Sequence, residues 1–94
     1  MAIVKIPTPL RRLTGEKDEV LTSSNSVSEM IDDLESQFPG IKDRLCDENG
    51  GIRKFINIYI NEEDIRFLDG PKTQINEKDT VSIIPAIAGG TTVN

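Results

Sequence analysis

The sequence predicts an α+β fold in which a mixed sheet of four to five strands carries one main amphipathic helix on one face. Three observations predict it. One stretch only, residues 27–38, places its apolar side chains at helical spacing. The stretch FINIYIN alternates with the period of two that a half-buried strand requires. Short β-branched runs stand near both ends of the chain, bounded by turn formers. A single helix has a single apolar stripe, so it covers one sheet face and leaves the other open.

The elements follow in order. MAIVKIPTPL carries Ile3, Val4 and Ile6 and reads as a strand that ends before Pro9, because proline cannot donate to a ladder. RRLTGEKDE is a polar turn, and EVLTS from Glu19 is the second strand of a long-looped hairpin. Ser26 and Glu29 form the Ser-x-x-Glu capping pattern of a helix start. Val27, Met30, Ile31, Leu34 and Phe38 share one helical face, while Glu29, Asp32, Asp33 and Glu35 form the opposite one, read as a solvated surface. Pro39-Gly40 stops the helix, and IKDRLC adds a short helical turn with Ile41 and Leu45 inward.

After the turn-rich loop DENGGIRK, Ile56, Ile58 and Ile60 fall on one side of a strand and Phe55, Asn57, Tyr59 and Asn61 on the other. NEED is a turn, and DIRFLDG reads as a short strand paired back. PKTQINEKD is a connection with room for one helical turn, and TVSIIP is the last strand, with Val81 and Ile83 opposite Ser82 and Ile84. This β-β-α-β-β-β order is that of a β-grasp, or ubiquitin-like roll, with the first and last strands parallel at the sheet centre. Residues 1–85 are then the β-grasp domain. Residues 86–94 are a flexible C-terminal tail with a diglycine and a four-residue extension.

Composition narrows the chemistry. The net charge of −5 disfavours nucleic acid and anionic membranes and favours a partner with a basic docking surface. No apolar run approaches a membrane span and no signal-peptide h-region opens the chain, which points to the cytoplasm. There is no histidine, and Cys46 is the only cysteine, so Ser-His and Cys-His pairs, disulfides and cysteine zinc clusters are excluded. Cys46 reads as a small buried residue. The acidic Glu62, Glu63 and Asp64 do not make a metal site, since consecutive acids in a turn cannot converge on one ion unaided. The chain is expected to be no enzyme itself and to bind no cofactor permanently.

Two stretches resemble a known family. N-x-Y-x-N-x-E-D-I-R-F from Asn57 to Phe67 and P-A-x-A-G-G from Pro85 to Gly90, with IPTPLRRLTG near the start, resemble the MoaD/ThiS ubiquitin-like sulfur carriers, most of all those of cysteine biosynthesis. The resemblance covers nearly the whole chain up to Gly90. It implies that the Gly90 carboxylate is adenylated by a ubiquitin-activating-type enzyme using ATP and Mg, and that a sulfur donor then displaces AMP to leave a thiocarboxylate. It further implies a PLP-dependent cysteine synthase, or the large subunit of molybdopterin synthase, as the next partner.

The residues themselves agree. A carboxylate that enters another protein's active site needs a narrow, extended approach, and Gly89 and Gly90 after Ala88 supply it. Fully extended, the segment 86–90 reaches roughly 17 Å. Thr91, Thr92, Val93 and Asn94 depart from the family pattern, because they leave Gly90 without a free carboxylate. Cleavage between Gly90 and Thr91 by a zinc metallopeptidase is the expected remedy. Phe55, Tyr59 and Ile84, with Ile3 beside them, are the expected partner-binding cluster on the open sheet face near the tail. Three other readings stand beside the sulfur carrier: a molybdopterin synthase small subunit, a protein modifier conjugated through Gly90, and an interaction module with an inert tail.

Overall fold

The computed structural model describes residues 1–85. Five strands form one sheet in the order β2-β1-β5-β3-β4, with β1 at Ala2–Lys5, β2 at Glu19–Thr22, β3 at Ile56–Ile60, β4 at Glu63–Asp64 and β5 at Thr80–Pro85. β1 and β5 run parallel, Val4 opposite Val81, and β5 pairs antiparallel with β3 on its other edge, Ile58 opposite Ile83. The last strand therefore lies at the sheet centre, as the β-grasp reading requires.

Helix α1 spans Val27–Gln37 and α2 spans Ile41–Leu45. Val27, Met30, Ile31 and Leu34 from α1 and Ile41 and Leu45 from α2 are buried against Val4, Ile56, Ile58, Val81 and Ile83 of the sheet. Each such side chain contributes about 1.5–3 kcal/mol by leaving water. Phe38 packs on the edge of this core and is only partly buried. Cys46 is buried, and that burial pushes its thiol pKa up, away from a reactive thiolate.

The helix start follows the capping pattern with one change. Ser26 Oγ accepts from Glu29 N at 3.2 Å, but the Glu29 carboxylate accepts from Asn25 N, one residue before the cap, at 3.0 Å. Helix α1 ends before Gly40, whose φ of 102° is reached without strain by glycine. The acidic face is more than a solvated surface. Asp33 accepts from the buried Thr22 hydroxyl at 2.9 Å, which ties α1 to β2. Glu35 accepts from the backbone N–H groups of Gly40 and Lys42 at 3.2 and 2.9 Å, so it caps α2 where no N-cap side chain does. Asp32 pairs with Lys42 at 2.8 Å in the open, a contact of little energetic weight.

Two local readings are corrected. The polar turn after β1 contains a 3-10 helix, Thr8–Leu13, entered through Pro9 and burying Leu10. The strand expected over DIRFLDG stops at Asp64 and continues as a 3-10 turn, Ile65–Phe67. The reason lies in Asp64, whose Oδ1 accepts from Arg66 N at 2.9 Å and so offers the backbone a local turn in place of a ladder. The turn between β3 and β4 puts both Asn61 and Glu62 at positive φ, 50° and 77°, the mirror-image turn that matches strand twist. A further 3-10 turn, Gly70–Lys72, lies in the connection to β5.

Candidate functional site

The site is built where β5 leaves the sheet. Alternation along β5 sends Val81 and Ile83 into the core and Ser82 and Ile84 to the open face. Ile84 is 47% exposed. Its register partner on β3 is Asn57, and that of Ser82 is Tyr59. Tyr59 is half-buried on this face, while Phe55, 53% exposed, lies in the turn just before β3 rather than on the strand. Ala88, Gly89, Gly90 and Thr91, expected to carry the chemistry and the cleavage, lie outside the described residues.

Ile3 does not join this cluster. Register places it opposite Thr80 and Leu21, at the other end of the face. The separation from Ile84 along β5 is roughly 13 Å at the usual strand rise. Lys5, Ser82 and Tyr59 form a polar row between the two ends. Two apolar ends and a polar waist thus replace the single expected patch. Leu21, exposed beside Ile3, was not singled out in the sequence, because only the register shows which strand neighbours which.

Charged groups flank Ile84 on both sides. Toward β1, Ile84 and Pro85 share a shallow groove of about 310 Å³ with Lys5, Pro7 and Arg11. Arg11 is fixed there, its Nε donating to the Ile6 carbonyl at 3.1 Å. Toward β4, Asn57 Oδ1 accepts from Arg66 Nη2 at 2.6 Å. Arg66 in turn grips the Asp64 carboxylate with Nε and Nη2, at 3.2 and 2.7 Å. The Arg66 side chain, by these hydrogen bonds first, holds the Asp64 carboxyl below its usual range, and the same bonds raise the Arg66 pKa. The acidic turn is therefore no uniform surface: Glu62 and Glu63 are exposed, whereas Asp64 is buried and neutralised.

Sequence spacing gave no sign of this network, since its three members come from β3, β4 and a 3-10 turn. Its signal was the stretch Asn57 to Phe67 itself, dense in polar residues where a plain hairpin needs none. Phe67, 86% exposed at the end of that stretch, also escaped notice because the segment reads as a strand.

Arranged this way, β5 ends at Pro85 in the sheet centre, beside an apolar contact flanked by Arg11 and Arg66. No helix of the described residues is long and apolar enough to cross a membrane.

Known proteins share this architecture. The chain is 45% identical over 89 residues to the sulfur carrier protein CysO of Mycobacterium tuberculosis, covering 93% of this chain and 96% of that protein. It is 32% identical over 82 residues to the small archaeal modifier protein 3 of Haloferax volcanii, covering 85% and 88%. Among solved structures, a chain of the BexX/CysO complex of Amycolatopsis orientalis superposes with a TM-score of 0.89 at 44% identity, covering 96% of this chain and all of that one. Since the sequence model of the ThiS family matches residues 4–90, from β1 through both glycines, the chain belongs to the ThiS family of ubiquitin-like β-grasp proteins.

Proposed function

We propose that this protein is a sulfur carrier, acted on by partner enzymes, whose Gly90 carries sulfur as a thiocarboxylate destined most directly for cysteine. The observation that carries the reading is the placement of β5. It is paired on both edges at the sheet centre and ends at Pro85, followed in sequence by Ala-Ile-Ala-Gly-Gly. A rigid base with a narrow, glycine-ended extension suits delivery of a terminus into another protein's active site. The 42–45% identity to CysO proteins supports the class of cargo, and the BexX/CysO complex supports presentation to a partner.

The chemistry runs at the terminus. A peptidase, expected to be a zinc enzyme, removes residues 91–94 and frees the Gly90 carboxylate. That carboxylate attacks the α-phosphorus of ATP, whose charge Mg offsets in the activating enzyme, and pyrophosphate leaves. Sulfide or an equivalent donor attacks the acyl-adenylate carbonyl and expels AMP. The resulting thiocarboxylate needs no thiol or imidazole on the carrier, which fits a chain with no histidine and with its cysteine buried. Ile84, Tyr59 and Phe55 form the contact for the activating enzyme, with Arg11 and Lys5 at its edge.

The test incubates chain ending at Gly90 with ATP, Mg, an adenylating enzyme of this type and sulfide. Intact mass should rise by the difference between one sulfur and one oxygen. Chain that continues through Asn94 should not react. An unchanged mass with an enzyme that adenylates its own carrier would refute the reading. The similarity to an archaeal modifier protein supports a second use of the same terminus, conjugation to lysines. Isopeptide-linked adducts in native lysate would establish it.

A further inference from the structure

A second recessed surface lies on the other side of β3 from Tyr59. It is a groove of about 510 Å³, floored by Ile52, Ile56 and Ile65 and edged by Arg53, Lys54 and Arg66. Three cations at one groove are notable in a chain of net charge −5. The only carboxylate lining it, Asp64, is already taken by Arg66. The groove thus has the opposite sign to the molecule as a whole.

Both guanidinium groups are ordered before any ligand arrives. Arg53 Nε donates to the Asp43 carbonyl at 3.1 Å, and Arg66 is held by Asp64 and Asn57. Neither Nη of Arg53, nor Nη1 of Arg66, has an acceptor among the described residues. Ordered arginine forks lose little freedom on binding and match carboxylates in geometry. An apolar floor beneath such forks asks for a branched side chain next to the carboxylate.

We propose that this groove docks an acidic peptide segment of a partner protein, one that alternates carboxylate and branched aliphatic side chains. Charge complementarity argues for that occupant. A small carboxylate would engage one cation and leave the partly exposed Ile52 uncovered, whereas a peptide segment reaches both. Ile56 and Ile58 face away from the Asn57 and Tyr59 side of β3, so the groove floor and the tail-root contact lie on opposite faces and share only Arg66 at their common edge. This docking does not depend on the sulfur-carrier reading.

The probe is a short fluorescein-labelled peptide alternating glutamate and isoleucine, added to full chain. Saturable binding that weakens with salt is expected, with backbone amide shifts confined to residues 52–58 and 64–71. Lys54→Glu, at an exposed turn position, should weaken it roughly tenfold, the size of one lost charge-assisted contact. Arg53→Gln is a second variant whose folding is checked by circular dichroism. Binding of the lysine-isoleucine counterpart with equal strength, or shifts centred elsewhere, would overturn the proposal. Succinate reproducing the same shifts at similar affinity would also overturn it, in favour of a small-carboxylate site.

Discussion

On β5, Val81 and Ile83 are buried to within a few per cent, while Ile84, the next residue along, is nearly half exposed. On β3, Ile56, Ile58 and Ile60 are buried and Asn57 and Tyr59 alternate with them on the other side. The same strands therefore serve two ends by residue parity. Their inner face, under α1 and α2, supplies the stability of the fold. Among the described residues no α-helix covers their outer face, which is the face proposed for partner contact. Substitutions on the two faces should consequently separate stability from partner chemistry.

The largest effect belongs to the covered face. Ile58→Ala should cost about 2–5 kcal/mol through lost burial and a residual cavity, read as a lower urea midpoint at unchanged slope. Ile84→Asp, on the open face, should leave that midpoint nearly unchanged and slow adenylation of the Gly90-ended chain about tenfold, as for the loss of one interface anchor. Tyr59→Ala should act in the same direction. If Ile84→Asp unfolds the chain, or leaves adenylation untouched, the division between faces fails.

Ser26→Ala should cost about 1 kcal/mol in the same denaturation assay, because it frees the Glu29 N–H at the start of the covering helix. The smallest effect is one of pH. The folded-state pKa of Asp64 is lowered from the ordinary 3.8, so its contribution is fully present above that value. It is lost as pH falls below 3.8 and through the lowered folded value. Asp64→Asn should flatten this acid limb of the stability curve, and a limb of unchanged slope would show that Arg66 does not hold the carboxylate in solution.

Much of the covered face was legible in the sequence. Val27, Met30, Ile31 and Leu34, and the alternation of Ile56 to Ile60, follow from periodicity, and periodicity reports burial directly. The open face was legible only by subtraction. Exposure of Ile84 follows from parity, whereas Phe55 is exposed in the turn before β3. Ile3 lies apart from both, which the sequence does not show because strand register is not written in one strand. Side-chain-to-backbone bonds were the other blind spot. Glu35 capping α2 across Pro39-Gly40 joins residues that helix spacing rules do not pair, while Asp64 turns the chain through a bond to Arg66 N only two residues on, a local signal inside a segment that reads as a strand.

The parallel pairing of β1 and β5 has a mechanical consequence. Force applied along β5 from its C-terminal end is met by hydrogen bonds to β1 on one edge and to β3 on the other. Those bonds lie across the pull, so they are loaded together in shear and do not unzip one after another. Traction on the tail is thus borne by the strongest direction of the sheet.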